Sequence, residues 1–177
     1  FFIGSMGGGI NIEDSSPIIQ NCIVQGNSTL TLGFFGGISS VGGGIRCYTT
    51  NGLTPATPVI RDCVVRNNIG RNGGGIGVER SSALIERCLI EQNESRYAAW
   101  GGGGVYLVGL AGLSTIRSCS IRYNFSTHST GGISIHTAFA TIDNTFVCDN
   151  CAYTNAGIVF VTEQTYQTYL TISNCTI

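Results

Sequence analysis

Apolar side chains along this chain keep a two-residue rhythm that breaks off and resumes at long intervals. The clearest stretch is Ile18-Ile19-Gln20-Asn21-Cys22-Ile23-Val24-Gln25-Gly26-Asn27. Its pattern returns from Val59 to Asn68, Leu84 to Asn93, Thr115 to Asn124 and Thr141 to Asn150, and in truncated form from Thr171 to Ile177. A glycine-led block precedes each copy: Gly7 to Ile12, Gly42 to Cys47, Gly73 to Val78, Gly102 to Leu107, Thr130 to Ile135 and Asn155 to Phe160. Alternate residues of a strand face opposite ways. The pairs Ile10/Ile12, Ile45/Cys47, Ile76/Val78, Val105/Leu107, Ile133/Ile135 and Ile158/Phe160 therefore point together, and every pair is apolar.

In the second block the inward set is the second, fifth and seventh positions, as in Ile19, Cys22 and Val24. The step of three between Ile19 and Cys22 breaks strand alternation and predicts a bend. The fifth position falls at residues 22, 63, 88, 119, 145 and 175, spacings of 41, 25, 31, 26 and 30 residues. A period near 25 residues with two or three short β-rich runs, lengthened only between runs, is the signature of a β-solenoid with loop insertions. The expected fold is all-β, a parallel β-helix of about six coils forming one domain over residues 1–177. Because the chain opens on Phe1 and stops at Ile177 within a strand pattern, a segment of a longer polypeptide is expected.

Two residue types recur at fixed places. Asn27, Asn68, Asn93, Asn124 and Asn150 close the blocks and are expected to form an internal asparagine ladder, a short amide being suited to tight corners and main-chain bonding. Asn27, Asn93, Asn124 and Asn174 also open N-x-Ser/Thr sequons; at the first three a buried corner amide cannot accept a glycan, while Asn174 is left open. Cys22, Cys63, Cys88, Cys119 and Cys175 share the inward fifth position, with Thr145 in the remaining copy. Coils stack about 4.8 Å apart, slightly beyond good disulfide geometry, so these thiols are expected as apolar filling. For Cys148 and Cys151 a local disulfide and two free thiols are both open.

These blocks resemble the right-handed parallel β-helix repeats of the pectin-lyase-like superfamily, especially the GGGI…NC…N repeats of polymorphic-outer-membrane-protein-like surface proteins. The resemblance implies a right-handed coil. It leaves function open, since such folds include polysaccharide lyases and hydrolases, adhesins and structural fibres. The long insertion from Ser28 to Val41 and the residue Thr145 depart from the pattern.

Charge narrows the function classes. The formal net charge is -1 and the nine basic residues are all arginine, so neither a nucleic-acid footprint nor a polybasic membrane patch is present. The glycine runs lack the lysine of a phosphate loop and the aspartate of calcium-binding nonapeptides. Cysteine spacings of whole coils do not suit zinc, and no cofactor or metal is expected. The uncharged run from Ala98 to Ile116 matches the repeat rather than a membrane span.

The outward third position reads Gln20, Arg61, Glu86, Arg117, Asp143, Ser173, and the eighth reads Gln25, Arg66, Glu91, Arg122, Cys148. Alternating signs are what neighbouring parallel strands need. Catalytic residues are therefore not assigned, although Glu86 and Asp143, about 10 Å apart, leave inverting hydrolysis formally open. The outward sixth position is apolar in Ile23, Val64, Leu89 and Phe146. With Phe34, Phe35, Tyr97 and Trp100 it suggests a covered or partner-binding surface. The expectation is a non-catalytic extracellular or cell-surface module, structural or adhesive, whose partners are further coils of the same chain, other subunits or surface glycans. The alternative is a carbohydrate-active β-helix.

Overall fold

The computed structural model describes residues 8–29, 41–50, 54–96, 100–110, 112–163 and 166–177. These form a β-solenoid of parallel strands, with no helix among the described residues. Four sheets run along its length. Sheet I stacks Ile10–Glu13, Ile45–Tyr48, Ile76–Glu79, Val105–Val108, Ile133–His136 and Ile158–Val161. Sheet II stacks Ile18–Gln20, Val59–Arg61, Leu84–Glu86, Leu113–Arg117, Phe139–Asp143 and Leu170–Ser173. Sheet III stacks Ile23–Gln25, Val64–Arg66, Leu89–Glu91, Ser120–Arg122 and Phe146–Cys148. Sheet IV is made of the two-residue strands Ile69–Gly70, Glu94–Ser95, Phe125–Ser126 and Cys151–Ala152.

The coil count is a correction. Four successive coils carry all four strands, and the partial coils on either side lack one or two of them. Sheet IV accounts for a further difference, because its strands are too short to show a hydrophobic period.

Like stacks on like. In sheet I, Ile45 pairs with Ile76, Val105 and Ile133 in turn, while Cys47, Val78, Leu107 and Ile135 form the parallel row two residues on. These eight side chains are buried to at least 99%. Ile60, Ile85, Ile116 and Ile142 from sheet II and Val65, Ile90, Ile121 and Val147 from sheet III complete the core. Burying a Val or Ile side chain contributes roughly 1.5–3 kcal/mol, so each coil supplies several such increments.

The bend between sheets II and III lies where alternation breaks. Asn21, Asp62, Arg87, Ser118, Asn144 and Asn174 all have left-handed backbone there, with φ between 45° and 54°, and all are exposed. A second left-handed row is Gly26, Asn67, Gln92, Tyr123 and Asp149. This corrects the corner assignment, since the left-handed residue is the one before each ladder asparagine rather than the asparagine itself.

Candidate functional site

The interior organises everything that faces outward. Asn27, Asn68, Asn93 and Asn124 each donate through Nδ2 to Oδ1 of the next ladder asparagine, ending on Asn150, at 2.9–3.0 Å. The same Oδ1 atoms accept the backbone N–H of the preceding ladder residue at 3.0–3.1 Å. The second Nδ2 proton of Asn68, Asn93, Asn124 and Asn150 goes to the backbone oxygens of Val24, Val65, Ile90 and Ile121, each at 2.9 Å. Amides buried this deeply need full satisfaction, and these have it.

The glycine block is explained by the same ladder. A Cβ on Gly75 would lie 2.6 Å from Gly104 O and 2.9 Å from Asn93 Nδ2, and one on Gly44 would lie 2.7 Å from Gly75 O and 2.9 Å from Asn68 Nδ2. Coil backbone and ladder amide pass directly over these positions, so a side chain has no room.

The cysteine row is built differently. Cys63, Cys88 and Cys119 are buried, Cys175 is half-buried and Cys22 is exposed. Each thiol of Cys63, Cys88, Cys119 and Cys175 donates to the carbonyl two residues earlier, at 3.0–3.3 Å, and reaches a carbonyl of the preceding coil at 3.5–3.7 Å. Thr145 occupies the row with 1% exposure; its hydroxyl donates to Asp143 O and accepts from the Cys119 N–H. Burial pushes the Cys47 thiol up to about 12. Contact with the Cys119 thiol and burial push Cys88 up as well. All eight cysteines are free thiols. Cys148 and Cys151, for which a local bridge and two free thiols were both open, lie in sheets III and IV on either side of the Asn150 corner.

Outward charges pair from coil to coil. Arg117 binds Glu86 through Nε at 2.9 Å and Nη2 at 2.6 Å, and Arg61 binds Gln20 at 3.0 and 2.7 Å. Arg87 bridges Asp62 at 2.7 and 2.9 Å and touches Glu86 at 3.1 Å. Arg122 pairs with Glu91 and Arg66 with Gln25, while Ser173 and Asn174 donate to Asp143. Arg117 stands in register between Glu86 and Asp143, separating the two carboxylates once open for hydrolysis. The hydrogen bond from Arg117 holds the Glu86 carboxyl below its ordinary range, and those from Ser173 and Asn174 hold Asp143 low. An inverting hydrolase needs one carboxyl raised so that it stays protonated; neither of these meets that requirement.

The apolar sixth row lies on the outer face of sheet III. Ile23 is 63% exposed and Phe146 55%, with Val64 and Leu89 half-buried between them. An open groove beside the row is lined by Arg87, Leu89, Ser118, Ser120, Asn144 and Phe146. Trp100 is half-exposed and stacks on His136 with ring centroids 5.0 Å apart. Phe34, Phe35 and Tyr97 lie outside the described residues.

One constellation escaped the sequence pattern. The outer face of sheet I, where a solvent-facing row was implied, is covered: Arg46, Tyr106 and Ser134 are 3–5% exposed. Val41 sits over Gly77, whose Cβ would fall 2.1 Å from a Val41 methyl, and the Trp100 carbonyl accepts from Ser134 Oγ at 2.7 Å. Beneath this cover Arg46 pairs with Glu79 at 3.3 Å and lies 4.2 Å over the Tyr48 ring. Burial, with Glu79 nearby, pushes the Tyr106 hydroxyl up to about 12. The signal was an arginine and a tyrosine in a row otherwise held by Asn11, Gly77, Ser134 and Val159, and the covering segments lie in insertions that no period describes.

Among the described residues no group of three or more His, Cys, Asp or Glu side chains is placed to hold a metal ion. Among those residues no helix is long and apolar enough to cross a membrane. No family model matches the chain, nor does any curated protein or solved structure.

Proposed function

We propose that this chain is a structural β-solenoid module of an extracellular or cell-surface protein, right-handed as in the pectin-lyase-like superfamily, that acts as a rigid support for surface contacts rather than as a catalyst. The observation that carries this reading is the closure of outward charges into coil-to-coil pairs, with Arg117 on Glu86 between the two carboxylates. A carboxyl that serves as general acid is held protonated, its pKa raised by burial or by a neighbouring like charge. Here Glu86 and Asp143 are both shifted the other way, below the ordinary carboxylate range, by hydrogen bonds from Arg117 and from Ser173 and Asn174. Four unbroken amide contacts along the axis add stiffness that a support requires.

The test is turnover. The chain is incubated with neutral and anionic polysaccharides, and new reducing ends and unsaturated products are measured beside Glu86→Gln and Asp143→Asn. No cleavage above the blank is expected in any of the three. Cleavage abolished by either substitution would overturn the structural reading in favour of a carbohydrate-active enzyme.

A further inference from the structure

We propose that the outer face of sheet III docks a second copy of this chain, antiparallel, about a two-fold axis that lies along the strand direction between Leu89–Glu91 and Ser120–Arg122. The proposal deepens the structural reading and rests on it.

Two properties of the face select this occupant. The first is charge order. Along the eighth row and its neighbour the signs run Arg66, Glu91, Arg122, Asp149, and across the bend the third row repeats the same order in Arg61, Glu86, Arg117, Asp143. An even alternation is complementary to its own reversal. The two-fold sets Glu91 against Arg122 of the second copy, twice over, and Arg66 against Cys148 and Asp149 of the second copy. Arg122 keeps 41% of its side chain exposed while bonded to Glu91, leaving guanidinium protons free to bind across the face.

The second property is relief. Ser120 is a small residue between Leu89 and Phe146, and the open groove runs past it. The same axis lays Leu89 of the second copy over Ser120, a bulge into a hollow, and Phe146 of the second copy over Val64. That covers the exposed Phe146 ring with apolar surface, the outcome expected for such patches. The parallel alternative, with its axis along the solenoid, would set Leu89 against Glu91 and Val64 against Arg66, burying charge on apolar groups. It is therefore disfavoured.

Sheet III has five strands, a strip roughly 20 Å long at the usual strand spacing. So short a strip places the contact among weak, reversible interfaces. Cross-linking reads such a contact without needing high affinity. In a Cys22→Ser/Cys151→Ser background, which removes the two exposed thiols, Arg66→Cys is introduced and the folded chain is mildly oxidised at high concentration. The expected product is a closed covalent dimer in which peptide mapping joins the new thiol to Cys148. Adding Cys148→Ser should abolish it, and adding Phe146→Glu should lower its yield at least ten-fold. Circular dichroism confirms that each variant keeps its β-signal. A folded chain that yields only monomer, or a dimer joined through two copies of the new thiol, overturns the antiparallel contact and leaves the structural reading intact. Polysaccharide cleavage in the earlier assay would do the reverse.

Discussion

Two rows of side chains run the length of the solenoid interior, one of asparagines at the corner after sheet III and one of cysteines at the bend before it. The asparagine row admits no substitute in any of its five copies, whereas the cysteine row accepts Thr145 in one of six. The physical difference is in what each side chain must do. Every inner ladder amide uses both donors and its acceptor on groups that have no water to replace them. The thiols contribute volume and one weak bond, which a threonine of similar size can also supply. Where the chain must satisfy buried backbone the repeat is strict, and where it must only fill space the repeat relaxes.

The largest effect should come from breaking the strict row. Asn93→Ala removes the acceptor of the Asn68 N–H and Nδ2 and the donor to Val65 O. At about 1–3 kcal/mol per buried group left unsatisfied, a loss of about 4 kcal/mol is expected from urea unfolding. The relaxed row should respond less. Cys88→Ala should cost about 1–2 kcal/mol for the small void it leaves. Cys119→Thr, which copies the solution already present at Thr145, should stay within about 1 kcal/mol of the parent. Equal losses for Asn93→Ala and Cys119→Thr would erase the distinction.

Alkali separates the rows more gently. Amides do not titrate there, but thiols do. A thiol whose folded pKa is raised binds its proton where the unfolded chain has released it, so its contribution to stability is intact below the ordinary thiol pKa near 9 and is lost between there and about 12. Stability should therefore begin to fall as pH passes about 9. Cys47→Val should flatten that fall, and Asn93→Ala should leave its slope unchanged.

Much of this was legible in the sequence, for a reason that the sheet I rows make plain. Residues such as Ile45, Ile76 and Val105 occupy equivalent places in successive copies, and a parity argument on any one coil then holds for all. The bend at Asn21 and its equivalents was readable as a step of three between inward positions. Its left-handed backbone at Arg87 and Ser118 was not, because neither residue type announces that conformation. The covered face of sheet I was illegible for another reason: Val41 sits over Gly77 and the Trp100 carbonyl meets Ser134, and both covering residues lie in insertions with no counterpart in other copies. The periodic part of the chain can be read coil by coil, and the aperiodic part only in three dimensions.

Native-state alkylation of the eight thiols, followed residue by residue by mass spectrometry, tests the two-row interior most directly. Protection should follow position along and around the solenoid. Cys22 and Cys151 should react first, Cys148 and Cys175 more slowly, and Cys47, Cys63, Cys88 and Cys119 only as fast as the chain unfolds. Alkylation of Cys88 or Cys119 at the rate of Cys151 in a folded chain would contradict the stacked interior row, and with it the coil register on which the rest depends.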